Sequence, residues 1–317
     1  MPFSLRLAAL LLTSFASLAS AHVGGSLAAT LQQPALSTFK KTGNVLTGAA
    51  GTTVTLTPRG RFVGSAAAVL PGGDLHQAGR LLGALIGEDV EQDLVDYLKQ
   101  PTVQYRLPLG LTIAAGAYDL KLQTRGKALT MNVSMHQVTG FAAVPGTRIL
   151  GDPAAPIVIR MYSDLQCPYC KQAELDAMPT VVRSLQTQKD VRLEFHYVPL
   201  IRIHPNARPA AEASVCAENQ GQFWAFKDAL FRRDDWQRSS TPQATFQAVA
   251  ARLNLNAAAF RDCLTNHSGK AVVEAGLSEA EEIEIQGTPT VFVNGYQVPD
   301  PYDAASYQAM IDFVRAK

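Results

Sequence analysis

The chain has 317 residues, of which 47% are hydrophobic and 17% charged, with a formal net charge of +1. That length suggests two domains, and the composition suits globular domains with substantial cores. A near-zero charge without a dense basic tract gives no support to nucleic-acid binding or to electrostatic attachment to a membrane.

Arg6 precedes an apolar stretch running from about Leu7 to Leu18, and Ala19-Ser20-Ala21 closes it with small residues. This is the layout of a secretory signal peptide over residues 1–21, and the stretch is short for a transmembrane helix. Residue 22 is His, so no cysteine stands at the expected cleavage point to carry a lipid. The mature protein is expected in the periplasm or outside the cell, where disulfides persist.

Residues 22–145 read as a small α+β domain of unknown role. From His22 to about Gly51 the chain is rich in Ala, Gly, Ser, Thr and Gln, and part of it is expected to be a flexible lead-in. Thr53 to Thr57 and Arg61 to Leu70 have strand character, and Pro71-Gly72-Gly73-Asp74 signals a turn. Leu81, Leu82, Leu85 and Ile86 recur at helical spacing, as do Leu94, Val95 and Leu98. Tyr118-Leu120-Leu122 and Leu129-Met131-Val133-Met135 then alternate on either side of an Arg125-Gly126-Lys127 hairpin turn. This part has no cysteine, and the default role is a scaffold or an association domain. A homodimer through it is one arrangement open to the protein.

Residues 146–156 are proline- and glycine-bearing and read as a linker. The second domain, 157–317, opens with Ile157-Val158-Ile159-Arg160-Met161-Tyr162, an apolar run expected to form a buried strand. Cys167-Pro168-Tyr169-Cys170 follows, and then a helical stretch. A C-x-x-C pair at a strand-to-helix junction is a candidate redox dithiol. Cys167 would stand at the helix start, where unpaired backbone N–H groups and the helix dipole favour a thiolate. Pro168 would take the first helical position, where its missing N–H costs little. Cys170, one turn further in, is placed to release a partner from a mixed disulfide on Cys167. Asp164, three residues before Cys167, would either tune the thiol pKa or cap the turn.

Val191-Leu193-Phe195-Tyr197 alternates as a second strand, and a helical region spans about 206–285. Within it, Phe223 and Trp224 are expected in the core. Glu274, Glu279, Glu281, Glu282 and Glu284 are expected to form a solvated acidic face. Cys216 and Cys263 also lie there. The three readings are a structural disulfide, two free buried thiols and a relay pair, with the disulfide favoured by an oxidising compartment. Such a bond would close a loop of about 48 residues and contribute about 2–4 kcal/mol. His196 and His204 could join the C-x-x-C in a zinc site, but zinc needs four ligands and no second short-spaced pair exists, so no metal is expected. Thr290-Val291-Phe292-Val293 reads as a strand, Asn294-Gly295 as a hairpin turn, and Tyr307, Met310, Ile311 and Val314 mark one face of a closing helix.

This order resembles the thioredoxin fold with a helical insertion, as in DsbA-type exported thiol–disulfide oxidoreductases. The resemblance rests on Gly151-Asp152-Pro153-Ala154-Ala155-Pro156, on Ser163 through Cys170, and on His204-Pro205-Asn206-Ala207. Cys216 through Trp224 and Gly287-Thr288-Pro289-Thr290 continue it. It covers about residues 150–317 and leaves the N-terminal half uncovered. The fold class it implies is α/β, a thioredoxin-like domain with an inserted helical subdomain, preceded by the small α+β domain. It also implies that Pro289 is cis beside the cysteines and that Thr288 offers backbone groups to an extended client. The activity implied is disulfide formation in exported, cysteine-bearing client proteins, with a membrane redox partner resetting the pair. No cofactor beyond the redox disulfide itself is expected. A Pro-Tyr pair between the cysteines is also similar to DsbG-type proteins, so an isomerase or reductase is the alternative. A chaperone-like binding module on the same scaffold is the reading from another class.

Overall fold

Two separate sheets organise the chain in the computed structural model, which describes residues 22–141, 144 and 146–316. The expected signal peptide lies outside the described residues. The chain divides into two units, one reaching to Gln137 and taking in the residues from Ala309 on, the other spanning Val138–Gln308.

The first unit begins with a single helical turn, α1 (Leu27–Thr30), and strands β1 (Lys40–Thr42) and β2 (Val45–Thr47). Two short strands of the expected flexible lead-in are therefore built into the sheet. Strands β3 (Thr53–Arg59) and β4 (Phe62–Leu70) follow, then helices α2 (Leu75–Ile86), α3 (Glu91–Lys99) and α4 (Pro101–Arg106), and strands β5 (Leu111–Ala115), β6 (Tyr118–Arg125) and β7 (Ala128–Met135). The seven strands pair antiparallel in the order β1-β2-β3-β4-β7-β6-β5. Period-two alternation puts Leu129, Met131, Val133 and Met135 on a buried face with Leu120 and Leu122. The Asp74 carboxylate caps α2 by accepting from the Gln77 N–H, and Gly87 ends the helix in the left-handed region.

The second unit carries strands β8 (Arg148–Leu150), β9 (Ile157–Ser163), β10 (Val191–Tyr197), β11 (Thr290–Val293) and β12 (Tyr296–Gln297) in the order β12-β11-β9-β10-β8. Strands β9 and β10 are parallel, and the other pairings are antiparallel. The segment read as a linker thus contains an edge strand, too short to show a pattern in sequence. Helices α5 (Pro168–Asp176) and α6 (Met178–Ser184) form the crossover between β9 and β10. Five helices intervene between β10 and β11: α7 (Ala207–Glu218), α8 (Phe223–Phe231), α9 (Pro242–Arg252), α10 (Ala257–Thr265) and α11 (Lys270–Glu282). This is a thioredoxin-like fold with a helical insertion. The closing helix α12 (Ala304–Arg315) starts in this unit, and its last residues belong to the first.

The insertion core is aromatic. Phe223, Phe226, Phe231, Trp236, Phe246 and Phe260 are buried in one cluster, with Trp224 packed against it. A disulfide between Cys216 and Cys263 ties α7 to α10. One charged pair lies inside. The Lys227 ammonium on α8 is 2.5 Å from a Glu174 carboxylate oxygen on α5, and both side chains are about as buried as the aromatic rings beside them. The Phe195, Trp224 and Phe231 rings lie 5.5–5.9 Å from the ammonium. Burial raises the Glu174 pKa, and the Lys227 charge opposes that rise. Removing one partner of such a pair strands the other charge. Lys227→Met is expected to lower unfolding stability by about 3–5 kcal/mol. A Glu174→Leu/Lys227→Met double variant is expected to recover most of that loss in urea melts.

Candidate active site

Strand β9 ends at Ser163, and the chain turns through Asp164, Leu165 and Gln166 into α5. Cys167 is the N-cap residue of that helix, with extended backbone angles (φ −69°, ψ 125°), and Pro168 occupies its first turn. The Cys167 N–H donates to the Asp164 carbonyl at 3.1 Å, which closes the turn. Both cysteines carry free thiols, Cys167 only 3% exposed and Cys170 fully buried, whereas Tyr169 between them is 62% exposed.

The structure brings the expected pair together with the loop before β11. The Thr288–Pro289 peptide bond is cis, and the Cys167 thiol donates to the Thr288 carbonyl at 3.4 Å. The two sulfurs have opposite tendencies. A hydrogen bond from the Cys170 thiol is the largest influence on Cys167 and lowers its pKa to about 6; burial opposes this. The Cys170 N–H, the Thr288 side chain and the Tyr169 N–H add to the lowering. Cys170 is pushed well above the ordinary thiol range, first by burial and then by its neighbour Cys167. The Asp164 N–H, 3.4 Å from its sulfur, and the Ser163 hydroxyl pull partly the other way.

Asp164 acts on the loop as a clamp. Its buried carboxylate accepts from the Gln166 N–H at 2.7 Å, the Leu200 N–H at 2.9 Å and the His204 ring at 2.7 Å. Gln166 continues the network. Its amide donates to the Gln237 carbonyl at 2.6 Å and accepts from the Asn206 N–H at 2.7 Å. The Asn206 amide in turn donates to the carbonyls of Trp236 and Ser239. The loop before Cys167 is therefore stitched to two segments of the insertion. No sequence signal assigns Gln166 or Asn206 this work, because each partner is 30 or more residues away.

His204 faces Asp164, and His196 lies apart on β10 against Glu194 and Glu279. Among the described residues no group of His, Cys, Asp or Glu is arranged to hold a metal ion. The expected acidic face needs a correction. Glu279 is buried, turned inward from α11 onto His196, because a helix follows a 3.6-residue period and position 279 falls on its inner side with Val273, Gly276 and Ala280. No helix of the described residues is long and apolar enough to cross a membrane.

A family model described as thioredoxin matches residues 143–313. A curated relative, Na(+)/H(+) antiporter NhaA 3 from Salinispora tropica, is 34% identical over 163 residues, which is 51% of this chain and 24% of the relative. The chain therefore spans less than a third of the length of that antiporter and of the two similar ones beside it. Disulfide bond formation protein D from Bacillus subtilis is 27% identical over 161 residues, 50% of this chain and 72% of the relative. The crystal structure of oxidised BdbD from Bacillus subtilis aligns with a TM-score of 0.51 at 22% identity, over 57% of this chain and 99% of that chain.

The ionisation contrast gives a direct test. In the reduced protein, iodoacetamide should modify Cys167 with a rate that rises through a midpoint near pH 6 and then levels, while buried Cys170 stays unmodified. The same contrast fixes a stability trend. The folded Cys167 pKa lies below that of an unfolded thiol, about 8.5. Its contribution is thus fully present above that value and lost as pH falls towards 6. The raised Cys170 pKa acts the other way, but only above about 8.5. Thermal melts should show the reduced form gaining on the oxidised form between about pH 6 and 8.5.

Proposed function

The chain belongs to the thioredoxin family whose model matches residues 143–313, and from that premise we propose that it is a thiol–disulfide oxidoreductase of exported proteins, working as a disulfide donor. The observation that carries this reading is the pairing of a Cys167 thiolate, with its pKa lowered to about 6, with a sealed Cys170 thiol. A stabilised thiolate favours the reduced enzyme, and that makes its disulfide oxidising. The lowering at Cys167 comes from the Cys170 thiol, backbone N–H groups and Thr288. The name of the Bacillus subtilis relative, disulfide bond formation protein D, points the same way.

The cycle starts with the Cys167–Cys170 disulfide. A client thiolate attacks the Cys167 sulfur, the bond to Cys170 breaks, and Cys170 leaves and takes up a proton. A second client thiolate attacks the client sulfur of the mixed disulfide and expels Cys167 as thiolate. The client loses two electrons and two protons and gains a disulfide, and the enzyme pair holds the two electrons. A low pKa at Cys167 speeds that last departure, since the better leaving thiolate leaves faster. An extended client segment would lie along the Thr288–Pro289 loop, pairing through its backbone and so with little regard to sequence. A membrane redox partner would take the electrons and restore the disulfide.

Equilibration with glutathione buffers, with the state of Cys167 and Cys170 read by alkylation and mass spectrometry, should give a potential clearly more oxidising than about −200 mV, towards about −120 mV. A value near about −200 mV or lower would overturn the donor direction in favour of a reductase or isomerase. Cys167→Ser should abolish client oxidation; client handling that survived it unchanged would mark a binding module instead.

A further inference from the structure

A second cluster of ionisable groups lies on the sheet away from the cysteines, and the exchange chemistry does not use it. On β10 the His196 ring is 2% exposed and stands between two carboxylates. Its Nδ1 is 2.7 Å from a Glu279 oxygen on α11, and its Nε2 is 3.5 Å from a Glu194 oxygen on its own strand. The Tyr162 ring of β9 stacks on it at 4.7 Å. Burial and the neighbouring Glu279 carboxylate both oppose ionisation of that phenol. Glu194 has its own cations, Arg160 of β9 at 3.1 Å and Arg192 of β10 at 2.8 Å. Glu279, also 2% exposed, faces His196 as its ion-pair partner.

The backbone makes this contact close and connects it to the active loop. A Cβ on Gly276 of α11 would come within 2.6 Å of the Tyr197 carbonyl oxygen, so the glycine is what lets the helix lie directly on β10. One turn after Glu279 the helix stops. The Ile283 N–H donates to the Glu279 carbonyl and the Ile285 N–H to the Ala280 carbonyl, with Glu284 in the left-handed region. Ile283 and Ile285 pack against the same cluster as Tyr162 and Ala280. Three residues later comes Thr288. Thr290 then pairs across β9 with Tyr162, and Tyr162 pairs with His196, so one row of the sheet joins the cluster to the start of β11.

We infer that Glu279 and His196 are a positioning pair for the exchange site, their contact between α11 and β10 setting where segment 283–289 presents Thr288 to Cys167. This rests on Cys167 being the exchanging thiol, but its test reads geometry and not turnover. The sign follows from charge. Protonated His196 neutralises a carboxylate that, among the described residues, is buried with no other cation paired to it. The His196 pKa is raised because the two glutamates outweigh burial, so the contact is strong below the ordinary histidine range, about 6.5, and is lost as pH rises through the shifted value. Arg160 and Arg192 stay charged throughout and remain on Glu194.

NMR of the full reduced chain, with labelled histidine and threonine, tests it. The Thr288 amide should show two inflections with pH, one shared with Cys167 and one shared with the His196 ring. In Glu279→Gln and His196→Gln the second should vanish. The pH midpoint of Cys167 alkylation should rise in both by roughly half a unit as the Thr288 side chain, which lowers it, draws away from the sulfur. A Thr288 amide that follows Cys167 alone, with an unchanged alkylation midpoint in folded variants, would overturn the proposal and leave the pair as packing only. If either variant fails to fold, the wild-type titration decides. A reductase-like potential would refute the donor reading without touching this result.

Discussion

The sulfur of Cys167 must hold a negative charge with only 3% of the residue exposed. Burial alone would push its pKa up, as it does for Cys170. The difference between the two is the balance: hydrogen bonding outweighs burial at Cys167, and burial outweighs it at Cys170. Cys167 stands where a helix begins, so the N–H groups of Tyr169 and Cys170 have no carbonyl to serve and turn to the sulfur. The Cys170 thiol, held high, is itself the strongest donor to it. The asymmetry is therefore self-reinforcing: sealing the second cysteine keeps its proton, and that proton stabilises the first.

Much of the structure can be understood as holding that geometry still. Strand β9 is buried along most of its length and delivers Ser163 and Asp164 to a fixed point. Asp164 then binds backbone N–H groups at both Gln166 and Leu200, so one carboxylate sets the turn and its neighbour loop together. The insertion contributes through Asn206, which collects carbonyls from Trp236 and Ser239 while its own N–H meets Gln166. Of the two ways open to Asp164 in sequence, the hydrogen bonds favour the cap.

These arrangements were unequally legible in the sequence. The C-x-x-C turn and the strand before it could be read because their signals are local, adjacent residues and an apolar run, whereas the Thr288–Pro289 loop was legible only through the family resemblance. Cys216 and Cys263 could be paired by compartment but not by geometry, which no spacing reveals. Glu279 was misplaced for a physical reason. Five glutamates between positions 274 and 284 look like one solvated surface, yet only the helix phase decides which of them turns inward, and a buried acid is legible only once its base is known. His196 is that base, 83 residues earlier. Lys227 and Glu174 are another such pair, invisible until α8 is laid against α5.

The two buried pairs solve the same desolvation problem in different ways. Lys227 keeps its charge across the neutral range, and the aromatic rings around it cannot accept a proton, so its contact with Glu174 is a fixed constraint. Histidine is the side chain whose ordinary pKa, about 6.5, lies near neutrality, so its charge responds to modest changes in the medium. The pair that cannot respond to pH joins α5 to the insertion core, where the helix carrying the cysteines must not move. The pair that can respond sits beneath the helix that leads to the cis-proline loop. On the positioning proposed for this pair, a change in the medium would then act on the cis-proline loop, and through Thr288 on the Cys167 sulfur, while the helix that carries both cysteines stays in place.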